Sequence, residues 1–482
     1  MAPQTRPKDS FHCVGIIFFL LGLGTLLPWN FFITAIPYFK SRLTARNCSD
    51  AVDDGNRTGP GLEPASLCDD EDDFNFSNWL ALLSQLPLLL FTLLNSLLYQ
   101  CIPDSVRILG SLVGILLLFV LTAVLVQTEV SAQSFFSLTM ASVWLINSFC
   151  AVLQGSLFGQ LGCFPQGYST VFLSGQGMAG TFAAVAMLLS MASGADAQTS
   201  ALSYFVTPCV GTLVSIACYL LLPHKDFARH YLEKKPLEEP GYELETKAGL
   251  LVPEDGPATI QETTERELLS LSNGNNNVVS LGPEDVASGP PLIANGSLGV
   301  AVVTPKPSVL CVLRKIWQLA LCIVMVFSVT LSVFPAITAG VASTSANKTW
   351  IKFFTPVCCF LLFNIMDWLG RSATSYFHWP ERFLPLLPGA VGLRLLFVPL
   401  LLLCNIPHRA HLPTLFRQDA WFVLFMVVFS LSNGYFVSLS MCLAPKQVKP
   451  HESELAGAMM TFFLALGLSC GAAMSFVLKA LL

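Results

Sequence analysis

Phe353 to Arg371 reads FFTPVCCFLLFNIMDWLGR, an apolar run that closes on Asn364, Asp367 and Arg371. About 20 apolar residues carry a helix across a bilayer, and a charge at its centre costs at least about 2.5–3.5 kcal/mol. The three polar residues recur at i, i+3 and i+7, so a helix sets them on one face, where Asp367 and Arg371 pair one turn apart. One reading is a structural ion pair between helices. The other is a polar stripe on a water-filled cavity, the carboxylate accepting from vicinal hydroxyls and the guanidinium donating to ring oxygens or carbonyls, which suits a sugar. With Arg371 at the cytoplasmic end of the span, it would instead snorkel to the interface.

The surroundings of this stretch decide the fold class. The chain has 482 residues, of which 53% are hydrophobic and only 12% charged, with a mean hydropathy of +0.63. Soluble domains carry about 25% charged residues, so the composition is that of a polytopic all-α membrane protein in a lipid bilayer. A net charge of −5 offers no broad basic surface to nucleic acid. Most of the 15 cysteines, such as Cys322, Cys358, Cys359 and Cys470, sit in apolar runs and read as small buried hydrophobes. Cys48 and Cys68 fall in a polar loop. No zinc, Walker A or H-E-x-x-H pattern occurs, so neither an enzyme nor a metal or other cofactor is expected.

Eleven apolar runs of spanning length lie near 12–38, 78–100, 106–127, 134–159, 168–193, 199–222, 311–341, 353–376, 383–405, 420–443 and 455–481. The first is too long, and lacks the small-residue cleavage site, for a signal peptide. The polar segment 40–77 holds sequons at Asn47, Asn56 and Asn75, which point it outward as a glycosylated loop. The second polar segment, 223–308, is rich in Glu, Pro, Gly, Ser and Asn and is expected to be disordered. The chain therefore divides into a six-helix bundle, 1–222, the polar segment, and a five-helix bundle, 309–482. With the first loop outside, the N-terminus is cytoplasmic and the C-terminus extracellular. Lys225, Arg229, Lys234 and Lys235 at one end of the second segment, and Lys306, Arg314 and Lys315 at the other, agree with the positive-inside rule.

Three further stretches carry polar groups inside spans. LPWNFFITA, 27–35, holds Pro28, Trp29 and Asn30, and Trp29 and Ile33 share a helical face with the preceding Thr25, an aromatic beside polar atoms that suits a flat heterocycle as well as core packing. INSFCAVLQGS sets Asn147, Cys150 and Gln154 on one face, and the Gln154 amide has both the donor and the acceptor that a base edge needs. An interhelical hydrogen bond explains it equally well. GQGMAG, 175–180, matches a dinucleotide fingerprint, but no strand precedes it, and small residues that let helices approach are the better explanation.

Together LGLGTLLPWNFFITA, LINSFCAVLQGSLFG, LSGQGMAG, FNIMDWLGRS, SNGYFVSLSMCLAPKQV and GAMMTFFLALGLSCGA, in that order, resemble the equilibrative nucleoside transporter family. The resemblance implies a major-facilitator-like fold of six plus five helices. It implies sodium-independent facilitated diffusion of nucleosides (adenosine, uridine, inosine) and of nucleobases such as hypoxanthine at the plasma membrane. It implies that Trp29 and Gln154 hold the base, that Asp367 and Arg371 hold the ribose, and that Asn364 lines the same cavity. Cys150 and Gln85 complete the expected binding set, and Asn30, Ile33, Phe334 and Pro335 the outer gate. Cys150 and Ile33 replace the glycine and methionine of some members, which is expected to disfavour bulky benzyl-thiopurine inhibitors. A proton-coupled solute carrier with Asp367 as proton carrier is the alternative.

Overall fold

The computed structural model describes residues 9–34, 39, 42, 76–98, 101–128, 130–193, 197–233, 308–377, 379–407 and 412–482. The sequons at Asn47, Asn56 and Asn75, the pair Cys48 and Cys68, and most of segment 223–308 lie outside these residues. Among the described residues the elements are helices, and the one β feature is an isolated bridge between Cys404 and Phe416. Apolar runs make this outcome obligatory, since a backbone in lipid must satisfy its own polar groups.

The first six spans are α1 (Cys13–Thr34), α2 (Phe76–Leu98), α3 (Asp104–Gln127), α4 (Ala132–Gly162), α5 (Gln166–Ser193) and α6 (Ala197–Leu221). A short α7 (Asp226–Glu233) follows. The second group is α8 (Val309–Val333), α9 (Lys348–Ala373), α10 (Phe383–Leu402), α11 (Asp419–Leu443) and α12 (Ser453–Leu481). Among the described residues ten helices are long and apolar enough to cross a membrane, and α2 has a shorter apolar part, Leu83–Leu98. The outward faces carry large apolar side chains such as Leu117, Leu189 and Leu393, each roughly two-thirds exposed (64%, 65% and 66%), as lipid-facing surfaces do.

Two spans are less regular than their runs suggest. In α9, Thr355–Leu361 is π-helical. The irregularity includes Pro356, which has no N–H for the ladder. From Glu381, just before α10, to Leu402 the chain alternates 3-10 and α turns, interrupted by Pro385, Pro388 and Pro399. The segment expected to be disordered begins with order: α7 puts Phe227 and Tyr231 against Tyr168 and Phe164, with ring centroids 5.2 and 5.4 Å apart. An apolar residue once per turn is enough to dock this charged helix on the bundle.

Helices meet through small residues. A Cβ at Gly22 would lie 2.1 Å from the Phe172 carbonyl oxygen, and one at Gly175 2.1 Å from that of Phe19, so α1 and α5 touch backbone to backbone. The GQGMAG stretch thus serves the close approach expected of it. Within the first group α1 packs on α5 and α6, and α4 on α2 and α3; within the second, α8 packs on α12 and α9 on α11. The groups meet where α12 lies on α2 and α4, and where α9 lies on α5.

Candidate functional site

A cavity of about 280 Å³ lies where the two groups of helices meet. That is slightly below the range of about 300–1,000 Å³ for drug-sized ligands, and suits a small polar solute. Trp29, Gln85, Cys150 and Gln154 line it from the first group, and Asn364, Asp367 and Arg371 from the second. Asn30, Ile33, Phe334 and Pro335 line it as well. The seven binding and four gate positions expected from the sequence therefore line one space.

The first group supplies unspent amide groups. Gln154 makes no hydrogen bond with any described residue, and Gln85 Oε1 is buried without a partner among them. A buried unpaired amide is costly, so both atoms are available to a solute or to water in the cavity. Trp29 stacks parallel to Phe32, with centroids 6.5 Å apart and planes 7° apart. Pro28 lies within α1, and Asn30 Nδ2 donates to the Leu26 carbonyl at 2.8 Å. Asn147 lines the cavity with its Nδ2 committed to the Val143 carbonyl.

The second group supplies charge. Arg371 Nε donates to Asp367 Oδ2 at 2.8 Å, and the residues are 7% and 5% exposed, so Arg371 is buried rather than snorkelling. Asn433 Nδ2 donates to the other carboxylate oxygen at 2.6 Å. Arg371 Nη1 reaches Gln176 Oε1 at 3.4 Å, and Gln176 Nε2 donates to Thr25 Oγ1 at 3.1 Å. Asn364 Nδ2 donates to the Phe360 carbonyl at 2.8 Å. Its Oδ1 sits where a Cβ at Gly180 would be 2.0 Å away, so a larger residue on α5 would displace the Asn364 amide. Phe334 stacks on Phe363 of α9 with ring centroids 3.9 Å apart, and both line the cavity.

Sequence reasoning missed Gln176, Thr330 and Asn433, which also line the cavity, and Arg394 behind it. Gln176 was hidden in a run read only for its glycines. Arg394 carried the same signal as Asp367, a charge inside an apolar run. Asn433 was visible only as a lone amide in α11.

The halves are also joined away from the cavity. Arg107 of α3 pairs with Asp104, donates to Asn95 Oδ1 at 2.9 Å, and stands 3.6 Å from Glu454 of α12. Ser96 Oγ donates to the Ala458 carbonyl at 3.0 Å. A Cβ at Gly457 would be 2.2 Å from the Phe158 carbonyl oxygen, so α4 and α12 leave no passage between their backbones at this end.

The sequence profile of the nucleoside transporter family matches residues 140–480. Over 100% of both chains the protein is 61% identical to equilibrative nucleoside transporter 2 of Rattus norvegicus and 60% identical to that of Homo sapiens. Identity to equilibrative nucleoside transporter 1 of Homo sapiens is 45%, again over 100% of both chains, so the likeness to type 2 is the stronger. In fold the chain is similar to the human organic anion transporter MFSD10 (TETRAN), with a TM-score of 0.50 at 17% identity over 98% of this chain and 95% of that one.

Proposed function

The chain belongs to the equilibrative nucleoside transporter family, and from that premise we propose that it moves nucleosides and nucleobases down their gradients by alternating access, with no coupled ion. The observation that carries this reading is the sharing of one cavity by an aromatic and amide wall and a charged wall, each on a different group of helices. A nucleoside has the same two chemistries. Its base lies along Trp29, with Gln85 and Gln154 at its polar edge and Cys150 beside it. Its ribose hydroxyls donate to Asp367, while Arg371 donates to sugar or base oxygens. Asn364 borders the sugar side, and the solute's own hydrogen bonds help offset the burial of the ion pair.

A solute held by both groups of helices is released when they rock apart. The end at which α2 leads into α3 is the closed one, through Arg107, Glu454 and the α4–α12 contact, and those links must break for the cavity to open there. Asn30, Ile33, Phe334 and Pro335 form the opposing gate. We place this transporter in the plasma membrane with eleven spans, six before and five after a cytoplasmic segment, 223–308. Its N-terminus is inside, its C-terminus outside, and Asn47, Asn56 and Asn75 are glycosylated. Glycosidase treatment should lower the band on a gel; an unchanged band for protein from vertebrate cells would contradict that topology.

Asp367→Asn tests the sugar half-site. It keeps the shape and loses the charge, and charge-assisted hydrogen bonds contribute about 1.5–3 kcal/mol. Uridine affinity should weaken by about tenfold to a hundredfold. Hypoxanthine, which has no sugar, should lose less per molecule at the surface. Equal losses for both would make the pair structural.

A further inference from the structure

Arg394 lies in the 3-10 turn Leu393–Leu396 of α10, is 1% exposed, and does not line the cavity. Its Nη2 donates to Thr330 Oγ1 at 2.8 Å, while Nε and Nη1 find no hydrogen-bond partner among the described residues. Its guanidinium carbon stands 5.0 Å from the centroid of the Phe429 ring. A guanidinium placed only to weld helices would be an expensive choice, since a well-packed apolar side chain serves that end as well. Neutralising Asp367 does not explain it either, because Arg371 already does so at 2.8 Å. A second cation leaves the cluster with one net positive charge.

Hydrogen-bond direction gives Arg394 a role. An arginine has five donors and no acceptor, so Thr330 Oγ1 must accept from it. The single hydroxyl hydrogen of Thr330 serves one of two acceptors within reach, the Val326 carbonyl (2.8 Å) or Asn433 Oδ1 (2.7 Å), and it goes to Asn433 Oδ1, which has no other donor among the described residues. With Asn433 Oδ1 turned toward Thr330, its Nδ2 is the atom that meets Asp367 Oδ1, at 2.6 Å. The reversed amide would set its oxygen against a carboxylate oxygen. The Asp367 carboxylate is thereby held at both oxygens, by Asn433 and by Arg371. The relay runs through α10, α8, α11 and α9 in turn.

We propose that Arg394 is a positioning residue for transport: through Thr330 and Asn433 it aims the Asp367 carboxylate at the sugar hydroxyls without touching the solute. This rests on the reading that Asp367 takes the ribose.

The test is the ratio of affinities for uridine and 2′,3′-dideoxyuridine, measured on the full-length protein in lipid vesicles. The wild type should favour uridine, whose 2′- and 3′-hydroxyls the dideoxy compound lacks. Arg394→Met should narrow the ratio by about tenfold, the worth of one charge-assisted hydrogen bond. Thr330→Val should narrow it similarly, and the double variant no further than either alone, as members of one relay do. A wild-type ratio in Arg394→Met, or additive losses in the double variant, would overturn the inference. If Arg394→Met does not fold, a wild-type ratio in Thr330→Val overturns it equally. Asp367→Asn separates the two levels. An unchanged ratio there brings down the ribose reading and the inference with it. A narrowed ratio there beside an unchanged one in Arg394→Met brings down the inference alone.

Discussion

Gly434 of α11 faces the backbone of Asp367 in α9 so closely that a Cβ would stand 1.9 Å from the Asp367 carbonyl oxygen. The contact is reciprocal, since a Cβ at Gly370 would lie 2.2 Å from the Leu431 carbonyl oxygen. Asn433, one residue before Gly434, holds the Asp367 side chain at 2.6 Å. Close backbone approach is what lets the short asparagine side chain reach the carboxylate.

Gly434→Ala is therefore expected to force α9 and α11 apart and to loosen the sugar half-site. Overpacking costs about 1–3 kcal/mol, so thermal stability in detergent should fall and uridine affinity should drop. Wild-type stability and affinity in this variant would contradict the placement of the two helices.

At the closed end, Glu454→Gln removes the partner that Arg107 meets from the other group of helices at 3.6 Å. The conformer open at that end should become more populated. A reporter cysteine at Ser156, which is buried beside Asn95 at 3.2 Å, should then be labelled by a hydrophilic thiol reagent about tenfold faster, a shift of about 1.4 kcal/mol. An unchanged labelling rate would mean that the ion pair does not hold this end shut.

Cys150 borders the cavity and is 4% exposed. A hydrophilic thiol reagent should slow uridine uptake, uridine should protect, and Cys150→Ser should abolish the sensitivity. Sensitivity that survives the substitution would assign the effect to another cysteine.

Much of this site was legible in the sequence, because a polar atom in an apolar run is conspicuous and helical spacing says which such atoms share a face. That argument brought Asn364, Asp367 and Arg371 together, and separately Asn147, Cys150 and Gln154. Spacing within one helix says nothing about the helix opposite. Gln176 and Asn433 meet the ion pair from α5 and α11, and only tertiary packing shows that. Irregular backbone was also hidden. Hydropathy treats α10 as one run, whereas its prolines divide it into short turns, one of which carries Arg394.

Composition likewise hid α7 within the polar segment, where its docking on Tyr168 and Phe164 shows only in the packing. Removing residues 236–306 should leave uptake per surface molecule nearly unchanged, if this segment serves regulation or traffic. A deletion that also takes α7 should lower stability, since Phe227 and Tyr231 would leave Tyr168 and Phe164 uncovered. A surface-expressed but inactive 236–306 deletion would give the segment a part in transport itself.

Facilitated nucleoside transport without a coupled ion is tested most directly by the uptake of labelled uridine into vesicles containing the purified protein. The measurement is made with no ion gradient, with an inward proton gradient and with an inward sodium gradient. The account predicts that uridine enters until inside and outside concentrations are equal, at the same plateau in all three cases. A plateau above the outside concentration under the proton gradient would contradict it and assign Asp367 to proton coupling.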